Sequence, residues 1–138
     1  MGSLNKKSLF EKQVIKMEKI IVNEEGDYVF VKEMSAKERA WYESQIIHYG
    51  TDDNGKMKVT QTMDRYKTKL AISTICDSKG VLLFTMDDMD LIETLNGNLI
   101  QEVIEVASRL NKMDEKALET EVKNSEAAPG GASSSDSV

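Results

Sequence analysis

The stretch Ser73–Leu110, STICDSKGVLLFTMDDMDLIETLNGNLIQEVIEVASRL, decides how this chain can fold. Asp77-Ser78-Lys79-Gly80 has the composition of a turn and leads into the apolar run Val81-Leu82-Leu83-Phe84. Thr85 stands where a helix N-cap belongs. Asp87 and Asp88 then occupy the first turn, where carboxylates complement unpaired N–H groups and the helix dipole. After Leu95-Asn96-Gly97-Asn98 a second helix carries Leu99, Ile100, Val103, Ile104, Ala107 and Leu110. These recur at i, i+3, i+4 and i+7, which places them in one apolar stripe. Neither helix holds in water alone, so the remaining chain is expected to fold around this pair.

Working back toward the N-terminus, residues 1–15 set Leu4, Leu9, Phe10, Val14 and Ile15 among lysines and suggest a short helix. Glu18–Val22 and Tyr28–Lys32 read as two strands joined by Asn23-Glu24-Glu25-Gly26, a loop of hairpin length. In the second strand Val29 and Val31 face one way, Tyr28 and Phe30 the other. A lone hairpin is marginal in water, so this one should lie on helices. Ser35-Ala36-Lys37-Glu38 has capping-box spacing and predicts a helix from Ala36 to about His48, with Ala40, Trp41, Ile47 and Ser44 on its buried side. Tyr49–Gly55 reads as loop. A long helix is predicted over Lys58–Ile75 from the spacing of Val59, Met63, Tyr66 and Leu70, although Ile72-Ser73-Thr74-Ile75 also suits a strand.

Beyond the central pair, Lys112 to about Val122 has helix-forming composition but little apolar stripe. The last stretch is serine, alanine and glycine with the sole proline, Pro129, and reads as a disordered tail. The predicted fold is therefore α+β and mainly helical: a small N-terminal hairpin on about four helices. Its single domain spans 1–122 and its tail 123–138.

Twenty-four acidic residues against 18 basic ones leave a net charge of −6, which argues against nonspecific nucleic-acid binding and against docking on anionic membranes. No apolar run is long enough to span a bilayer, and the first residues lack a signal-peptide core. Cys76 is the only cysteine, so an internal disulfide is excluded and a cytoplasmic setting is expected. Eight methionines supply flexible apolar bulk for a core or an adaptable surface.

Candidate chemistry is thin. A calcium loop over Gly50–Gln61 would place Asp52 and Asn54 on ligand positions around Gly55, but Gly50 and Gln61 fall where the first carboxylate and the bidentate glutamate are required. Asp87, Asp88 and Asp90 suit the N-terminal dipole better than acid–base catalysis. His48 and Cys76, each the only one of its kind, lack a third orienting group. Nucleotide-binding, zinc-cluster and nucleophile-elbow patterns are absent, and no cofactor is expected. The residues thus favour a binding protein over an enzyme such as a hydrolase built on Asp87, Asp88 or the Cys76–His48 pair.

One resemblance goes further. Val29-Phe30-Val31-Lys32-Glu33-Met34-Ser35-Ala36-Lys37-Glu38-Arg39 resembles the "V-x-V-R/K-E-M/L-T/S-x-x-E-R" segment of tail assembly chaperones from long-tailed bacteriophages and prophages. Downstream, Ile75 to Asp88 is similar to that family's "D-x-x-G-x-x-L/P-F-T/S-x-x-D" segment, followed by Leu91, Leu95 and a helix ending Leu110-Asn111-Lys112-Met113. The likeness covers roughly residues 15 to 113, in one polypeptide of single-domain length. It departs in the 50–60 loop and in the apolar Val81-Leu82-Leu83 run.

The resemblance implies a non-enzymatic assembly factor of the host cytoplasm. Such a factor binds the tape measure protein, helps the tail tube protein polymerise around it, and is absent from the virion. It also implies a homo-oligomer and a second, longer form made by frameshifting near the C-terminus. The candidate partner-binding residues are Leu99, Val103, Val106, Leu110 and Met113, although a stripe at this spacing equally suits the monomer core. The alternatives are a small phage structural or connector protein, or an acidic regulator that binds protein.

Overall fold

The computed structural model describes residues 2–61 and 63–113. At its centre is helix α5 (Gly97–Leu110), the second helix of the decisive stretch. The Asn96 side chain caps it, accepting from the N–H groups of Asn98 (2.8 Å) and Leu99 (3.3 Å). Val103, Ile104 and Ala107 are wholly removed from water. On one side α5 meets helix α3 (Tyr66–Thr74); on the other it meets the hairpin of β1 (Met17–Ile21) and β2 (Tyr28–Lys32).

The hairpin is antiparallel, Met17 opposite Lys32 and Ile21 opposite Tyr28, and it puts Ile20 and Val31 into the core. Glu18 reaches from β1 to Arg109 on α5, both carboxylate oxygens accepting at 2.7 Å from one guanidinium nitrogen. A short strand β5 (Ile75–Cys76) joins the far edge of β2, giving the order β1-β2-β5. Helix and strand meet directly at Thr74–Ile75, inside the β-branched patch that suited both. The buried hydroxyls of Ser73 and Thr74 donate back to the carbonyls of Lys69 (3.0 Å) and Leu70 (2.8 Å), so burial leaves neither unsatisfied.

The α+β, mainly helical class follows from this arrangement, with the N-terminal hairpin on the helices. A short helix α1 (Lys6–Lys12) precedes it, capped reciprocally by Asn5 and Ser8. Thr85 opens a single 3₁₀ turn, Met86–Asp88, that runs into helix α4 (Met89–Ile92). Met89 and Ile92 are buried against the core.

Three expectations are corrected. Helix α2 (Ala36–Ile46) ends two residues early and buries Tyr42 and Ile46. Trp41 and Ile47 are half-buried, and Ala40 and Ser44 are exposed. The pair at i, i+4 that faces α3 is thus rotated from the one expected. The supposed loop over 49–55 and the first part of the supposed helix from Lys58 form a second antiparallel hairpin, β3 (Ile47–Thr51) with β4 (Met57–Gln61). Its turn is local chemistry: the Asp52 carboxylate accepts from the N–H groups of Asn54 and Lys56, each at 2.9 Å, and Gly55 takes φ 80°. Met57 and Val59 alternate with Lys58 and Thr60, a period of two that outweighs the helical spacing of Val59 with Met63. Helix α3 therefore begins only at Tyr66, after Arg65 in the left-handed region at φ 55°. The helix expected over 112–122 beyond Met113 and the tail 123–138 lie outside the described residues.

Ile104→Ala should cost about 2–5 kcal/mol, because it opens a cavity in the α5 face, whereas Leu91→Ala, 61% exposed, should change stability by no more than about 0.5 kcal/mol. Urea denaturation of the two variants reads both.

Candidate partner-binding surface

Of the five residues proposed for partner contact, Val103 and Val106 are enclosed within the monomer. Leu99, Leu110 and Met113 are half-buried and pack along the edge of the core. The apolar side chains of this set that reach the surface lie at the two ends of α5 and just beyond.

The residues that carry the family resemblance converge on one junction. Lys32, buried at the end of β2, donates from Nζ to Glu38 on α2 at 2.9 Å. Burial pushes the Glu38 carboxyl up, but the Ser35 N–H and the Lys32 ammonium outweigh it and hold the group below its usual range. Ser35 and Glu38 form the expected capping box, 3.2 Å and 2.9 Å. Glu33 accepts from the Lys16 N–H at 2.7 Å and ties down the entry to β1. From the other end of the sequence, Asn111 closes the junction. Its Oδ1 accepts from the Met34 N–H (2.7 Å), and its Nδ2 donates to the carbonyls of Ala107 (2.9 Å) and Lys32 (3.3 Å). Arg39 donates to the Asn111 carbonyl at 3.0 Å. Sequence reasoning noted Asn111 only as a helix end; nothing local marks a polar residue that serves a strand almost eighty residues away.

The second resembling segment is likewise architecture. Asp77 accepts from the N–H groups of Lys79 (2.8 Å) and Val81 (3.0 Å), which keep its carboxyl below the usual range. Gly80 takes φ 84°, and Asp88 accepts from the Thr85 N–H at 2.8 Å.

Chemical candidates are not assembled. Cys76 is buried in β5 beside the Met17 sulfur (3.8 Å), and burial pushes its thiol up, away from the reactive thiolate. His48 is exposed on β3, in the other sheet. Asp88 serves a cap, and Asp90 pairs with Arg65 at 2.7 Å. Arg65 also holds Glu93 at 2.7 Å, and Thr68 donates to the same carboxylate at 2.7 Å. Together these hold Glu93 down, from its usual 4.5 to about 2. Among the described residues, no group of three or more His, Cys, Asp or Glu could hold a metal ion. None of the described helices is long and apolar enough to cross a membrane.

What remains is apolar surface. Tyr49, Met57 and Val59 share one face of the β3–β4 hairpin and are all exposed. A groove of about 380 Å³ opens between α2, α3 and the segment after β5, with Trp41, Ile72, Leu82 and Met86 in its walls. Val81 and Leu83 stand exposed beside it, and helix α1 buries no residue at all. Apolar side chains therefore stand exposed on several faces of the described residues.

A family model described as phage tail assembly chaperone matches residues 3–126, and the chain belongs to that family. Among solved structures, that of the bacteriophage HK97 tail assembly chaperone is similar at a TM-score of 0.48 and 17% sequence identity. The match covers 70% of this chain and 85% of that one. No curated protein matches the chain.

Asn111→Ala should cost about 1–3 kcal/mol, since it strands the Met34 N–H and the Lys32 carbonyl at a buried junction; thermal melting checks it. Glu93 contributes stability above its unfolded pKa near 4.5 and loses it as pH falls toward 2. The wild-type melting temperature should therefore fall more steeply between pH 5 and 2 than that of Glu93→Gln.

Proposed function

We propose that this chain is a non-enzymatic chaperone that binds the tape measure protein in the host cytoplasm, keeps it soluble while tail tube subunits polymerise around it, and is absent from the finished virion. The observation that carries this reading is the family match across residues 3–126, on a chain that leaves apolar side chains exposed on several faces. A tape measure is long and apolar on repeated helical faces, so a holdase for it needs many copies, each making a weak contact. Self-association follows from the same requirement. Within each copy the ends of α5, at Leu99, Leu110 and Met113, supply part of the contact, and the exposed Val81–Leu83 segment supplies more. Contact with the tail tube protein is assigned to a longer form, produced by frameshifting near Pro129–Val138.

Co-expression with a tape measure protein from the same genome should raise that partner's soluble fraction several-fold. Val81→Asp with Leu83→Asp should reduce the gain without unfolding the chaperone. A tape measure that precipitates equally with and without this chain refutes the proposal.

A further inference from the structure

The N-terminal arm and the end of α5 are fixed at neighbouring residues. Glu33 accepts from the Lys16 N–H at 2.7 Å and anchors the foot of the arm. Asn111 accepts from the Met34 N–H, also at 2.7 Å, and anchors the end of α5. Lys112 then takes φ 55°, and the Met113 N–H donates to the Ser108 carbonyl at 2.7 Å, a left-handed cap that turns the chain out of the helix. A recess of about 280 Å³ is lined by Gln13, Val14 and Ile15 of the arm and by Leu110, Asn111 and Lys112 of the α5 end. The arm and the continuation of α5 therefore start from one place.

Helix α1, the body of the arm, buries none of its seven residues and leaves Leu9 and Phe10 exposed. A helix this short without packing is unstable in water, so it needs a surface. Its charge says which kind. Lys6, Lys7, Lys12 and Lys16 stand against the single Glu11, and none of these lysines has an ion-pair partner among the described residues. Residues 114–122 have the opposite composition: Asp114, Glu115, Glu119 and Glu121 against the single Lys116. Leu118 and Val122 are four residues apart, so in helical register they share a side, flanked by Asp114, Glu115 and Glu121. On α1, Lys6 and Lys7 precede Phe10 by four and three residues and share its side in the same way.

We propose that residues 114–122 dock on the N-terminal arm of the same chain, antiparallel to α1. The arm runs toward the recess and the docking segment runs away from it, which sets the register. Leu118 meets Phe10, Asp114 and Glu115 fall beside Lys12, and Glu121 falls beside Lys6 and Lys7. In helical form residues 114–122 span about 14 Å, the reach of the arm from Gln13 back to Asn5. Both segments begin at one recess, so little loop-closure entropy opposes their pairing. The clasp covers Phe10 and neutralises the arm within one copy. It involves no partner protein and does not rest on the reading above.

The test is hydrogen exchange of the full chain, read at the amides of α1. Leu118→Asp with Glu121→Lys should speed their exchange about tenfold or more over the wild type, while the α5 amides exchange as before because the core is untouched. High salt should act in the same direction on the wild type. Lys7→Glu combined with Glu121→Lys should exchange more slowly than either variant alone. Under oxidation of a dilute sample, Phe10→Cys with Leu118→Cys should give a disulfide closed within one chain, Cys76 being buried, and Phe10→Cys with Ser134→Cys should close far more slowly. Wild-type α1 amides that exchange as fast as those of Leu118→Asp with Glu121→Lys overturn the clasp. Protection that is lost on dilution, or a disulfide found only between chains, assigns the arm to a second copy and overturns it as well.

Discussion

Helix α5 has one apolar face, and the described fold exists to cover it. Val103, Ile104 and Ala107 cannot meet water without losing the main driving force for folding. Helix α3 covers one flank of that face and the β1–β2 hairpin the other. A two-stranded hairpin gains from this as much as the helix does, since alone it has nothing to pack against. Strand β5 follows from the same geometry: once α3 lies on α5, its C-terminal end arrives beside β2, and Ile75 and Cys76 pair there.

Burying the face leaves polar ends to satisfy, and the chain answers with a small number of side chains, each serving several partners. Asn111 terminates α5, accepts from the strand–helix connection at Met34 and donates to Lys32. Lys32 in turn is neutralised by Glu38, which is also half of the α2 capping box. A buried amide or ammonium is costly unless fully paired, so residues of this junction depend on one another. That is why the motif residues of a family defined by its binding role turn out to be caps, turns and clamps.

The chemically reactive side chains, by contrast, are not brought together. The one thiol is buried in β5 beside the Met17 sulfur, and the one imidazole is exposed on the second hairpin. Near α4, Asp88 is occupied with a cap, and Asp90 and Glu93 with Arg65. The described frame holds several apolar side chains in the open.

The sequence by itself determined the pieces whose causes are local. The α5 stripe, the Ser35–Glu38 box, the Thr85 start, the Asp77–Gly80 turn and the first hairpin all arise from contacts within a few residues. The mainly helical α+β class and the family resemblance rested on them. Tertiary structure decided the rest. Whether Met57–Thr60 became strand or helix depended on competing periodicities that single residues could not separate, and the turn held by Asp52 and Gly55 tipped it to a hairpin. Which members of a stripe stay wet is likewise invisible along the chain: α5 shows the same spacing at Val103 and at Leu99, yet only packing by α3 and β2 seals the first and leaves the second at an edge. Spacing reports that a face exists; what lies against it depends on residues distant in sequence.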